Sequence, residues 1–198
     1  MPAARQFRGA FTALITPFRA DGSIDEESFR NLVRRQIDAG IHGLVPCGTT
    51  GETPTLSHEE DDWVIGTTLE IANERPSRER IRIIAGTGSN STQTAIKSTR
   101  RAAALGVDAA LVVAPYYNKP DQRMMEAHFR AVADEGDLPV VVYNIPGRTG
   151  VNLEATTLLR LAEPRSPGFH AFETVVDEAI ASARAAGKPK EKPGAAAG

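Results

Sequence analysis

Two hydrophobic rhythms alternate along the chain up to about residue 162. Short apolar runs at Phe11–Ile15, Gly43–Pro46, Ile81–Ala85, Ala109–Ala114 and Pro139–Tyr143 predict buried strands. Continuous apolar runs, rather than strict alternation, suit strands covered on both faces, as in a parallel sheet. Between them lie helix-spaced apolar faces. Asp25 caps a helix whose Phe29, Leu32, Val33 and Ile37 share one side, and Gly40 stops it. Ser57 and Glu60 form a capping box that opens a helix running through Asn73. Further helices are expected from about Thr92 to Leu105, from about Gln122 to Glu135, and from about Leu153 to Ala162, the first two ending at Gly106 and Gly136.

Repeated strand–helix units imply a parallel sheet covered by helices. Periodicity leaves two architectures open, a doubly wound open sheet and a (β/α)8 barrel. Gly86-Thr87-Gly88 follows a strand, but it lacks the third glycine and the later acidic residue of a dinucleotide-binding turn. In a barrel, function gathers at the C-terminal ends of strands. The unusual residues stand there: Cys47–Glu52, Gly86–Asn90, Pro115–Asn118 and Tyr143–Arg148. About five units are legible, against the eight of a closed barrel. From Pro164 the character changes. The breaker cluster Pro164-Arg165-Ser166-Pro167-Gly168 precedes an amphipathic helix, about residues 171–186, marked by Phe172, Val175, Val176, Ala179, Ile180 and Ala183. Gly187–Gly198 is a low-complexity tail that reads as disordered. The expected division is therefore 1–162 as a partial (β/α) barrel and 163–198 as a divergent segment.

Charge and composition narrow the function. Lys+Arg total 23 and Asp+Glu 25, a net charge of -2, so there is no electrostatic footprint for nucleic acid or an anionic membrane. Cys47 is the single cysteine, which excludes an intrachain disulfide and suits a reducing compartment. No apolar run reaches the roughly 18 residues of a membrane span, and Met1–Gly9 has no secretory apolar core, so the expected location is the cytoplasm.

Candidate chemistry is weighed against plainer roles. Thr49 and Thr50 lie in a Gly-bounded turn whose hydroxyls and N–H groups suit a carboxylate or a proton relay; an ordinary helix-approach turn uses the same residues. Tyr117 and Tyr143 are phenols at strand ends, where tyrosines commonly pack half-buried. Arg148 follows Pro146-Gly147 in a tight turn, placed to offer its fork to a carboxylate or to join a surface ion pair. His58, His128 and Cys47 have no ligand spacing with a third partner, so a metal site is rejected. His128 fits a helix face with Met124, Met125, Phe129 and Val132 and reads as a packing residue. Glu59, Glu60, Asp61 and Asp62 crowd a helix's first turn, where the macrodipole accounts for them.

Together the segments Thr12–Phe18 (TALITPF), Gly48–Glu52 (GTTGE), Ala85–Asn90 (AGTGSN), Pro115–Pro120 (PYYNKP) and Tyr143–Gly150 (YNIPGRTG) occur in the order found in the dihydrodipicolinate synthase/N-acetylneuraminate lyase family. The resemblance covers about residues 8–162. The threonine pair, the double tyrosine and the IPGRTG turn resemble the dihydrodipicolinate synthase branch more than the sialic-acid lyases. The resemblance implies a (β/α)8 barrel, no cofactor, and an association of like subunits. It implies a pyruvate-dependent aldolase-type lyase of lysine (diaminopimelate) biosynthesis, in which a lysine forms a Schiff base with pyruvate and the enamine attacks aspartate semialdehyde. It gives Tyr143 the central proton transfer, Thr50 the link in a hydroxyl relay to Tyr117 of a neighbouring subunit, Thr49 the pyruvate carboxylate, and Arg148 the aldehyde's carboxylate.

Departures are also present. The family's Schiff-base lysine belongs on the next strand, in a glycine-containing segment. Here Ser166–Phe172 takes that place, and the lysines after Arg148 are Lys188, Lys190 and Lys192. Lys97 falls on a predicted helix and Lys119 follows the tyrosine pair. A non-catalytic, truncated product is therefore the alternative expectation, and another 2-keto acid lyase is the alternative within the family. Of the lysine-feedback residues, His58 matches one histidine while Asp61 and Thr94 stand at the other two places, so feedback by lysine is not expected.

Overall fold

A computed structural model describes residues 7–74 and 80–163. The amphipathic helix and tail expected within 163–198 lie outside the described residues, apart from Glu163. Five strands form one parallel sheet: β1 (Phe11–Ala13), β2 (Gly43–Val45), β3 (Arg82–Gly86), β4 (Ala109–Val113) and β5 (Val140–Tyr143), paired in chain order. The helices between and after them are α1 (Glu26–Asp38), α2 (His58–Glu74), α3 (Thr92–Leu105), α4 (Gln122–Glu135), a single turn α5 (Pro146–Thr149) and α6 (Ala155–Ala162).

The sheet order separates the two architectures that the periodicity left open. A doubly wound sheet reverses its strand order and carries helices on both faces. Here every successive strand adds to the same edge, and the helices line one face as consecutive pairs, α1 on α2, α2 on α3, α3 on α4 and α4 on α6. The larger core fills the space between helices and sheet, joining Phe29, Val33, Val64, Ile96, Phe129 and Leu161 to the strand residues Leu44, Ile83, Ala110, Val112 and Val140. The opposite strand face gathers a smaller cluster, Val45, Ile84 and Ala109 with Phe11, Leu111 and Val141. That second face is the inside of a barrel, and the described chain is a partial (β/α) barrel.

Local chemistry accounts for the element ends. Asp25, Ser91 and Asp121 accept the N–H groups of Ser28, Thr94 and Met124. Ser57 and Glu60 bond each other's N–H, the reciprocal box expected from their spacing. β1 is shorter than predicted, and Leu14 N–H makes its last bond to β2, at Val45 O. α6 starts later than predicted because the side chains of Asn144 and Gln122 hold the N–H groups of Leu153 and Glu154 in the preceding loop. The buried face of α4 is Met125, His128, Phe129 and Val132; Met124, expected on it, is 61% exposed. Among the described residues no helix is long and apolar enough to cross a membrane.

Candidate active site

Alternation along the strands decides what the site can contain. Residues two apart share a face. Val141 belongs to the inner cluster, so Tyr143 projects to the same side at the strand's C-terminal end. Its register partner on β4 is Val113, two residues beyond the inner Leu111. The loops after β2, β3 and β5 fold over this end. The loop after β2 makes two tight turns, Thr49–Gly51 and Thr53–Thr55, and that after β5 coils once as α5, with Pro146 at its first position.

These loops enclose a cavity of about 450 Å3. Thr49, Tyr143 and Arg148 line it, with Gly86–Ser89, Leu111, Val113, Tyr116 and Ile145. Cys47, Thr53, His58 and Asp61 line it from the β2–α2 side, and Thr94 and Ser98 from α3. Thr50 and Tyr117 are not among the lining residues: both are exposed, Tyr117 to 88%. Tyr143, Thr49, Thr50, Tyr117 and Arg148 make no side-chain hydrogen bond or ion pair among the described residues, so within one copy the hydroxyl relay is not closed. No three His, Cys, Asp or Glu side chains of the described residues gather to hold a metal ion. Lys97 and Lys119, the lysines of the described residues, lie outside the cavity lining.

The backbone around the site is strained in a localised way. Cys47, Glu52, Tyr117 and Lys119 have positive φ, at 55°, 58°, 70° and 49°. Non-glycine residues adopt this region at a cost and concentrate at functional loops. These four fall in the loops after β2 and β4, at the cavity end of the sheet, while a fifth, Asp137 at 60°, lies before β5 at the other end. Gly86 permits the closest approach: a Cβ there would lie 1.9 Å from the carbonyl oxygen of Cys47. Gly88 would likewise meet the Val113 nitrogen at 2.5 Å.

Electrostatics divides the cavity. Asp61 is pushed up to about 6, chiefly by burial, against the lowering effects of the Cys47 thiol, Arg101 and His58. Its Oδ1 is buried without a hydrogen-bond partner. Burial, and then Asp61 itself, hold the Cys47 thiol well above its ordinary value, so it is neutral and a poor nucleophile. The first-turn acids are therefore not uniform. Glu60 serves the capping box, Asp62 pairs with Arg101 at 3.1 Å, and Asp61 turns to the cavity, which the macrodipole argument alone did not separate. Tyr116, passed over in favour of its neighbour, also lines the cavity; adjacent residues of one loop point apart, and only the backbone decides which points in.

The model of the dihydrodipicolinate synthetase family matches residues 6–183. The chain belongs to this family. The match runs past residue 162, the end of the motif resemblance. Among the family's members, 4-hydroxy-tetrahydrodipicolinate synthase of Rhodospirillum centenum is 55% identical over 157 residues, 79% of this chain and 52% of the relative. That of Syntrophobacter fumaroxidans is 48% identical over 185 residues, 93% of this chain and 57% of the relative. The chain thus spans about half the length of these relatives. Among solved structures of dihydrodipicolinate synthase, the chloride-inhibited Acinetobacter baumannii enzyme complexed with pyruvate aligns with a TM-score of 0.76 at 47% identity, covering 80% of this chain and 53% of that one. The Aquifex aeolicus structure aligns with a TM-score of 0.73 at 46% identity, over 79% and 51% of the two chains. Another aligned structure, with a TM-score of 0.73, is described as the first monomeric variant of the synthase.

Proposed function

We propose that this chain carries the substrate-binding and proton-transfer surface of a 4-hydroxy-tetrahydrodipicolinate synthase, the lyase that condenses pyruvate with aspartate semialdehyde. The observation that supports this most is the convergence of Thr49, Tyr143 and Arg148 on one cavity at the C-terminal ends of the strands. Thr49 comes from the loop after β2, whereas Tyr143 and Arg148 come from the end of β5 and the turn after it, and an incidental likeness of motifs would not require the two segments to meet.

The roles follow from residue type. Thr49, with the N–H groups of its turn, holds the pyruvate carboxylate. The Tyr143 phenol stands beside the keto carbon and moves the protons that imine formation and the loss of a methyl proton require. The enamine carbon then attacks the aldehyde, and its oxygen takes a proton. Arg148, on the exposed turn α5, grips the carboxylate of the incoming aldehyde as a fork. The amine for the imine is not among the described residues that line the cavity. Tyr117, exposed and held at positive φ, is offered outward to a second copy, whose Thr50 links it to Tyr143. On this reading the active form is an assembly, working in the cytoplasm. The relatives named above are all synthases, which supports this reading over the sialic-acid lyase.

The test is pyruvate binding to the 198-residue chain, followed by calorimetry and by saturation-transfer NMR. Saturable binding that Thr49→Val weakens by roughly tenfold, the loss of about one charge-assisted hydrogen bond, is expected. Pyruvate binding that is unchanged in both Thr49→Val and Tyr143→Phe would remove the assignment.

A further inference from the structure

The cavity that holds Arg148 on one wall also holds Asp61, a carboxyl with one oxygen sealed from water and no donor to satisfy it. Such an oxygen is costly to bury, and more so when ionised. Burial accordingly raises its proton affinity until the group titrates near pH 6. The surrounding groups are few. On its own helix are His58 and Asp62; from the segment after β2 come the neutral thiol of Cys47 and the Thr53 hydroxyl; from α3 comes Arg101, whose ion pair is with Asp62. Across the cavity stand Arg148 and the phenols of Tyr116 and Tyr143. Neither cation is hydrogen-bonded to Asp61. Its charge is therefore felt by whatever anion enters.

We propose that Asp61 makes anion binding in this cavity proton-linked: a small carboxylate binds well when Asp61 is neutral and poorly when it is ionised. The inference rests on the reading of the cavity as a 2-keto acid site and adds a pH-dependent control to it. Two unit negative charges separated by roughly 10 Å, about the width of a cavity of this volume, repel at an effective dielectric of about 20 strongly enough to weaken binding about tenfold. Coupling is reciprocal, so the bound anion raises the proton affinity of Asp61 by the same factor, and a proton enters with it. His58 lines the cavity too. A neutral variant of each residue separates them.

The probe is pyruvate, titrated into the whole chain by calorimetry between about pH 5 and pH 8, in two buffers of different ionisation heat. The Kd of the parent chain is expected to rise about tenfold across that range, with fractional proton uptake near pH 6. Asp61→Asn should hold the tight Kd throughout and take up no proton, while His58→Gln keeps the parent profile. Asp61→Ser, smaller and also neutral, should behave as Asp61→Asn does, and circular dichroism of both variants confirms their folding. A parent-like pH profile in the folded Asp61 variants, or its loss in His58→Gln, overturns the proposal. Binding that does not vary with pH in the parent chain overturns the linkage and leaves the keto-acid reading standing. Absence of saturable binding at every pH overturns both.

Discussion

The backbone carbonyl of Cys47 lies where a Cβ on Gly86 would have to go, 1.9 Å from it. This close approach holds the loop after β2, with Thr49, against the end of β3. Gly86→Ala cannot be absorbed by a flexible side chain, because backbone is what it meets. The loop must move, and the cavity with it. Gly86→Ala is expected to weaken pyruvate binding at least tenfold, the effect of displacing positioned groups by about an ångström, while circular dichroism shows the helices retained. Parent-like binding would show that the loop position is unimportant.

Buried titratable groups give the fold opposing pH dependences. His128 is buried, bonds Thr92 through Nδ1 at 2.9 Å, and has no partner at Nε2. Burial lowers it to about 4. The unfolded chain takes up this proton near pH 6.5 and the native chain only near 4, so stability falls as pH drops through that window and is unaffected above it. The loss at its acid end is on the order of 3 kcal/mol. His128→Leu should narrow the gap in melting temperature between pH 7 and pH 4.5, measured by thermal denaturation. Asp61 acts oppositely: its raised value withholds stability as pH climbs from about 4 through about 6, so Asp61→Asn should raise the melting temperature at pH 7 more than at pH 4.

The carboxylate of Asp108, fully buried at the start of β4, bonds Arg82 at 2.8 Å and the Ile83 N–H at 3.0 Å. It ties β4 to β3 at the end of the sheet away from the cavity. Asp108→Ala leaves a buried strand N–H without its acceptor, while the part-exposed guanidinium of Arg82 turns to water. The substitution is expected to cost about 1–3 kcal/mol in chemical denaturation. A loss below about 1 kcal/mol would mean that water replaces the carboxylate at no penalty.

Lys97 and Lys119 lie outside the cavity lining. Incubation with pyruvate and borohydride, then peptide mass spectrometry, should leave both unmodified. An adduct on either would place the keto acid elsewhere than the cavity.

In a complete barrel, made by grafting the remaining strand–helix units of a solved relative after Leu161, the proposed roles become measurable as turnover. Tyr143→Phe is expected to lower it by roughly 10²–10⁴-fold, the usual weight of a proton-transfer residue. Arg148→Ala should raise the KM for the aldehyde far more than that for pyruvate. Equal effects on the two substrates would reassign Arg148.

The sequence by itself determined the elements. Apolar runs and caps placed all five strands and the longer helices, because caps, glycine stops and hydrophobic spacing act within a few residues of chain. It also brought forward Thr49, Tyr143 and Arg148, whose turns are distinctive in themselves. Tertiary structure decided the rest. Strand order depends on which edge each new strand joins, which periodicity does not record; the motif resemblance alone pointed to the barrel, and the order β1 to β5 along one edge agrees with it. Which of two adjacent tyrosines enters the cavity depends on a backbone turned to φ 70° at Tyr117. Asp61 reads in the sequence as one acid of a helix's first turn; only the packing of the β2 loop and α3 around it seals one oxygen from water and turns the group toward the cavity. Burial belongs to the whole fold, so the titration it imposes cannot be read from the chain.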